Sequence, residues 1–327
     1  MKVLDQLPEV KARLIEEPLA ERVIAQNMPV LSDVNDDVSR KVREQYEESP
    51  YPRWVKLAIP PKVSSVAEIC NASKLQLHSE NIKSVFSPSI LIAGCGTGQH
   101  SIGTASRFAN CTVKAVDLSL ASLAYAQRKT SELGITNIEY LQADILNLGS
   151  LGQEFDVIEC VGVLHHIDDP MAGWRVLVDL LKSEGLMKIG LYSESARRHV
   201  AKTRGEIESQ RIGASEAAIR QFRQSIVESD DEQHQLLRGS RDFFSLSSLR
   251  DLIFHVQEHR FTLPQIQHCL DELGLQFCGF ENQDLARQFK DSLGKESDAG
   301  DLSLWHQFEQ EYPSTFAGMY QFWCQKL

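Results

Sequence analysis

Gly94-Cys95-Gly96-Thr97-Gly98 follows a short apolar run, Ser89 to Ala93, and precedes a helical stretch from about Gln99 to Phe108. Glycines at a strand-to-helix turn let the backbone bend tightly and let a ligand approach it closely. The spacing is Gly-x-Gly-x-Gly rather than the Gly-x-Gly-x-x-Gly of nicotinamide and flavin enzymes, and the Gly-Lys-Ser/Thr of a P-loop is absent. The next run ends in Ala115-Val116-Asp117, 19 residues after Gly98. A carboxylate there can accept hydrogen bonds from both hydroxyls of a ribose. A third run ends in Gln142-Ala143-Asp144-Ile145, a second acid placed to receive the exocyclic amine of an adenine. A fourth, Phe155 to Val161, leads into Gly162-Val163-Leu164-His165-His166-Ile167-Asp168-Asp169-Pro170.

These residues need a scaffold that brings strand ends together. From about 84 to 193 apolar runs alternate with helical stretches: Ser119 is an N-cap, Gly134 a stop, helices fall near 145–152 and 170–182, and Leu186 to Tyr192 is a fifth strand. That alternation predicts a parallel sheet covered on both faces, with ligands bound outside the carboxyl ends of its strands. Residues 1–61 form an N-terminal arm. Val10, Leu14, Ile15, Leu19, Val23 and Ile24 repeat at helical spacing, and Pro50, Pro52, Pro60 and Pro61 then impose an extended, aromatic-rich connection from Tyr46 to Pro61. Residues 62–193 are the α/β domain and 194–260 a polar helical insertion. The insertion holds ten of the 19 arginines, offset by a similar number of acids, so solvated helix faces with i,i+4 pairs account for most of them. Residues 261–327 supply a helix from Thr262 and Pro264 to Gly274, a strand from Leu275 to Phe280 and a last strand from Met319 to Cys324.

Composition narrows the function. A chain of 327 residues with 42% hydrophobic and 24% charged residues folds into one large or two ordinary domains. Its apolar runs fall far short of a membrane span, and acids with Pro8 interrupt any secretory signal near Met1, which predicts a cytoplasmic protein. A net charge of -11 opposes nonspecific binding to nucleic acid. Cys70, Cys95, Cys111, Cys160, Cys269, Cys278 and Cys324 form no Cys-x-x-Cys pair and read as reduced thiols.

The ordered set from the glycine loop through Asp117, Ala143-Asp144 and Phe155-Asp156-Val157-Ile158 to Leu164-His165-His166 resembles the class I S-adenosylmethionine-dependent methyltransferases. It is also similar to the methyltransferase module of bacterial tetratricopeptide-repeat methyltransferases, although the chain shows no such repeats. The resemblance implies a doubly wound, mostly parallel seven-stranded sheet of Rossmann-like type and S-adenosyl-L-methionine as cofactor. Gly94, Gly96 and Gly98 would line its methionine part, Asp117 with Leu118 the ribose, and Asp144 with Ile145 the adenine. Family members often carry an acid two residues before the first glycine, where this chain has Ile92, leaving Glu159, His100 or the arm to substitute. Methyl transfer needs no protein nucleophile, only alignment and proton removal. Candidates are His165, His166, Tyr192 and Glu194 beyond the fourth and fifth strands, and His255 ahead of the Phe261-Thr262 helix. The acceptor is a small molecule or a peptide or protein, with the insertion as its cap, and the oligomeric state is unreadable. A fold-retaining regulatory protein without catalysis is the alternative. His255-Val256-Gln257-Glu258-His259 also matches the inverted zinc-peptidase motif, but no metal is expected, because Arg260-Phe261-Thr262 ends the segment too soon for the long helix that motif requires.

Overall fold

The computed structural model describes residues 7–294 and 296–327. Its seven strands are β1 (Ser89–Ala93), β2 (Thr112–Asp117), β3 (Ile138–Gln142), β4 (Phe155–Val161), β5 (Leu181–Tyr192), β6 (Leu275–Phe280) and β7 (Met319–Lys326). They form one sheet in the order β3-β2-β1-β4-β5-β7-β6. β1 to β5 are mutually parallel, and β7 runs antiparallel between β5 and β6. Ile90, Leu91, Ile92 and Ala93 of the central β1 are completely buried, as a strand covered on both faces requires. The strand order reverses where β1 lies between β2 and β4, which opens a crevice at their carboxyl ends.

Local chemistry sets the element ends. Ser119 caps the helix Leu120–Glu132 through the Ser122 N–H, and Asp169 with Pro170 starts Pro170–Asp179. Thr262 and Gln265 make a capping box for Leu263–Leu273, which ends at left-handed Gly274. The expected extended segment from Tyr46 begins later, because the helix Asp37–Glu48 continues to Glu48. It stops only at Ser49, whose backbone is pushed out of the helical region by Pro50. Residues 145–152 form a 3-10 turn, Ile145–Leu151, rather than an α-helix. β5 starts five residues earlier than expected, since Leu181 pairs with Phe155 before the register shifts. Two helices, Gln283–Leu293 and Leu302–Glu311, fill the connection between β6 and β7, with Phe289 stacked on Trp305 at 4.1 Å.

The insertion folds around an apolar cluster of its own that includes Val200, Ile219, Phe222, Ile226, Leu237, Phe243, Leu249 and Ile253. Its α-helices are Arg198–Ser209, Glu216–Glu228, Glu232–Arg238 and Leu246–Ile253, and residues 255–260 lie in neither helix nor strand. No helix among the described residues is long and apolar enough to cross a membrane.

Candidate active site

The turn after β1 is built from left-handed glycines. Gly94 has φ +77°, and the N–H groups of Gly94 and Cys95 both donate to the Val116 carbonyl at 2.9 Å. Gly96, at φ +52°, lies under the arm: a Cβ there would sit 2.9 Å from the Tyr51 carbonyl oxygen. The arm is fastened further by Trp54 Nε1, which donates to the Thr97 carbonyl at 3.1 Å, and by the Thr97 hydroxyl, which donates to the Pro52 carbonyl. Gly98 is the N-cap of Gln99–Arg107, and a side chain there would collide with Ala126.

Asp117 ends β2 directly beside this loop. Its Oδ2 accepts the Gly96 N–H at 2.7 Å and its Oδ1 the Ser119 N–H at 2.9 Å. Burial raises its pKa, and those two N–H groups oppose the rise. β2 and β3 pair with Asp117 opposite Gln142, so Asp144, two residues beyond Gln142, emerges at the same edge. Asp144 accepts the Leu146 N–H at 3.0 Å.

These groups meet in a cavity of about 290 Å³. Of the residues singled out in the sequence, Gly94, Gly96, Asp117, Leu118, Asp144, Ile145, His166 and Tyr192 line it, as does His100. Gly98, Glu159, His165, Glu194 and His255 do not. Glu159 is fully buried in β4, opposite Ile92 of β1. It receives His100 Nε2 at 2.6 Å, the Thr104 hydroxyl at 2.6 Å and Arg107 Nη2 at 2.8 Å. Burial would raise its pKa, but His100, Arg107 and Lys188 overcome this and hold it well below the usual carboxylate range. Glu194 is exposed, because its N–H is drawn to the Phe261 carbonyl at 2.9 Å while its side chain points to the surface.

The histidines form a stack rather than a metal-binding pair. His165 lies 3.6 Å from the Tyr192 ring and His166 lies 3.6 Å from the His255 ring, each nearly parallel to its partner. His166 Nδ1 faces the Gln257 carbonyl at 2.6 Å, and a carbonyl only accepts, so Nδ1 carries the proton and Nε2 is the basic nitrogen. Burial lowers the His166 pKa to about 4, leaving a neutral imidazole near pH 7. Burial likewise drives His165 and His255 well below the ordinary value. His255 and His259 are not on a helix, so they do not stand one helical turn apart as the zinc motif demands. Among the described residues, no group of three His, Cys, Asp or Glu side chains could hold a metal.

Three further residues belong to the wall. Tyr46 and Tyr51 come from the arm and Asp251 from the insertion helix Leu246–Ile253. Asp251 Oδ1 accepts the Tyr46 hydroxyl at 2.7 Å, and Asp242 accepts the Tyr51 hydroxyl at 3.2 Å. Burial pushes the Asp251 carboxyl up to about 6. Its one sequence signal was its position among Leu249, Leu252 and Ile253, on the apolar side of an amphipathic helix. Three of the insertion's arginines are engaged away from the cavity: Arg197 pairs with Glu258 at 2.8 Å with its guanidinium over the Tyr192 ring, Arg204 donates to the His255 carbonyl, and Arg250 pairs with Glu48.

Residues 90–185 match the family described as Methyltransferase domain. An uncharacterized protein of Synechococcus sp. is 30% identical over 206 residues, covering 60% of this chain and 49% of that protein. A ubiquinone biosynthesis O-methyltransferase of Pseudomonas fluorescens is 36% identical over 97 residues, 29% of this chain and 40% of the enzyme. The chain thus spans about half the length, or less, of these two relatives. PKMT2 from Rickettsia typhi superposes with a TM-score of 0.60 at 15% identity, covering 82% of this chain and 54% of that one. The same protein in complex with AdoHcy gives 0.58 at 16% identity, over 82% and 55% of the two chains. The glycine loop and both strand-end aspartates lie inside the segment that matches the methyltransferase domain family, and the Rossmann-like fold around them is shared with PKMT2.

Proposed function

We propose that this chain is an S-adenosylmethionine-dependent methyltransferase that acts on a small-molecule, peptide or protein acceptor. The observation that carries the reading is the convergence of the glycine loop, Asp117 and Asp144 on one cavity, at the point where the strand order reverses. The residues suit the cofactor. Tight backbone at Gly94 and Gly96 leaves no room for side chains against the ligand, and Asp117, although it already accepts two N–H groups, retains lone pairs for the ribose hydroxyls. Asp144 and Ile145 would flank the adenine. Glu159 cannot take the place left by Ile92, because it is committed to Thr104, Arg107 and His100. His100, held by Glu159 and lining the cavity, is the polar group we assign to the amino-acid end of the cofactor.

When bound, the cofactor supplies a methyl group already activated on sulfonium sulfur. The chain's own residues then have to exclude water, align the acceptor and manage a proton. The arm covers the glycine loop, Tyr192 and Met319 line the acceptor side, and His166 offers a neutral Nε2. His165, Glu194 and His255 stand outside the wall, where His165 and His255 orient Tyr192 and His166 by stacking. The likeness to the module of tetratricopeptide-repeat methyltransferases and a cytoplasmic location belong to the same proposal. Calorimetry with S-adenosylhomocysteine tests it: micromolar-range binding is expected, and no binding by the folded chain would sink the reading.

A further inference from the structure

The cavity has an unusual charge balance. Asp117, Asp144 and Asp251 all line it, while among the described residues no lysine or arginine does. Asp117 and Asp144 belong to the cofactor side, each already holding backbone N–H groups. Asp251 is different. It is only 7% exposed, it comes from the insertion rather than from the sheet, and Oδ1 alone has a partner, the Tyr46 hydroxyl. Oδ2 receives no hydrogen bond from the described residues, and the residue borders the cavity. A carboxylate buried to this extent is costly unless a donor or a cation completes it. Arg197 does not do so, since it is bound to Glu258 and lies against Tyr192, outside the wall.

Resting on the methyltransferase reading, we propose that the methyl acceptor is an amine that enters as its ammonium, with Asp251 Oδ2 as its counter-ion and the rings of Tyr46 and Tyr51 beside it. Rings present electron-rich faces to a cation, and a carboxylate makes its strongest hydrogen bonds to charged donors. An anionic acceptor would meet the Asp251 carboxylate with no lysine or arginine on the wall among the described residues. The ammonium passes one proton to Oδ2, which exposes the nitrogen lone pair. As the nitrogen–carbon bond forms, the sulfur–carbon bond breaks and its electron pair stays on sulfur. Positive charge moves from sulfur to nitrogen, and Asp251 returns the proton to solvent. The balance is one methylated ammonium, one neutral thioether and one proton. Asp251 is well suited to both duties, since burial pushes its carboxyl up to about 6.

The test uses the full chain saturated with S-adenosylhomocysteine and three probes of similar shape: benzylamine, benzyl alcohol and benzoate. Calorimetry at pH 7.5 should show benzylammonium binding roughly tenfold or more tighter than either of the others. Asp251→Asn, in which the amide oxygen can still accept from Tyr46, should abolish that preference, whereas Tyr46→Phe, which leaves the carboxylate, should retain it. Equal or tighter binding of benzoate or benzyl alcohol to the native chain would overturn the proposal, as would a preference that survives Asp251→Asn. Failure of S-adenosylhomocysteine itself to bind the native chain would instead overturn the methyltransferase reading beneath it.

Discussion

Asp117 does two jobs with one carboxylate: it fixes the glycine loop through the Gly96 N–H and it faces the cavity. Asp117→Ala should weaken S-adenosylhomocysteine binding by ~2 to 3 kcal/mol, because ribose hydroxyls lose a charged acceptor and the loop loses its tether. Calorimetry on the folded variant checks this, and an unchanged Kd would remove Asp117 from the site. Gly96→Val should abolish binding altogether, since even a Cβ meets the Tyr51 carbonyl at 2.9 Å. Near-native affinity would refute the loop assignment. Residues of this kind were legible because a strand end and a turn fix their position from local sequence alone. Asp251 was not, because its meaning depends on Tyr46, 205 positions away. Glu159 was half legible: its place beside Ile92 follows from the strand, but its commitment to His100 and Arg107 depends on how the helix Gln99–Arg107 packs.

Between elements, the decisive contact is the arm on the glycine loop. Trp54 is buried there, its indole N–H on Thr97 and the Lys129 ammonium 5.3 Å from its ring centroid. Trp54→Ala should cost about 3 to 5 kcal/mol of stability. It should also weaken S-adenosylhomocysteine binding, which a core change far from the arm would not do. Urea unfolding followed by circular dichroism, beside calorimetry, separates the two effects, and unchanged affinity in the folded variant would show the arm to be mere packing. The sequence announced this segment by its prolines and aromatics but not its contacts with Thr97, since an extended chain has no periodicity that points to particular partners. The helices Gln283–Leu293 and Leu302–Glu311 were missed, whereas β1 and β4 coincide with the apolar runs Ser89 to Ala93 and Phe155 to Val161.

Across the molecule, one charged network ties the cofactor side to the far strands: His100, Thr104 and Arg107 on Glu159, then Arg107 and Lys188 on Glu281, with Trp323 Nε1 donating to Glu281. Glu159 has a folded pKa held below its unfolded value, so its contribution to stability is present above about pH 4.5 and is lost as pH falls toward the folded value. Glu159→Gln removes the buried charge and leaves the partly exposed Arg107 with Glu281 alone, which should cost about 1 to 3 kcal/mol at pH 7. It should also flatten the acid side of the stability profile. Urea midpoints measured from pH 7 to pH 3 check both, and parallel profiles for the two proteins would show that the network carries no net linkage. The parallel sheet and its ligand-binding edge were readable from strand–helix alternation, but a network spanning β4, β5, β7 and the end of β6 exists only once the last strand inserts between two others.

The arm and the insertion also hold each other: Tyr46 on Asp251, Tyr51 on Asp242 and Glu48 with Arg250 join them across the cavity. We propose that a ligand in the cavity leaves only when those three ties part. Residence time, rather than chemistry, becomes the clock. Rapid mixing with a turned-over acceptor should show one fast equivalent of methyl transfer followed by a slower steady rate. Asp242→Asn together with Arg250→Ala should quicken the slow phase while leaving the fast one in place. A linear first turnover in the native chain would show that opening keeps pace with the reaction.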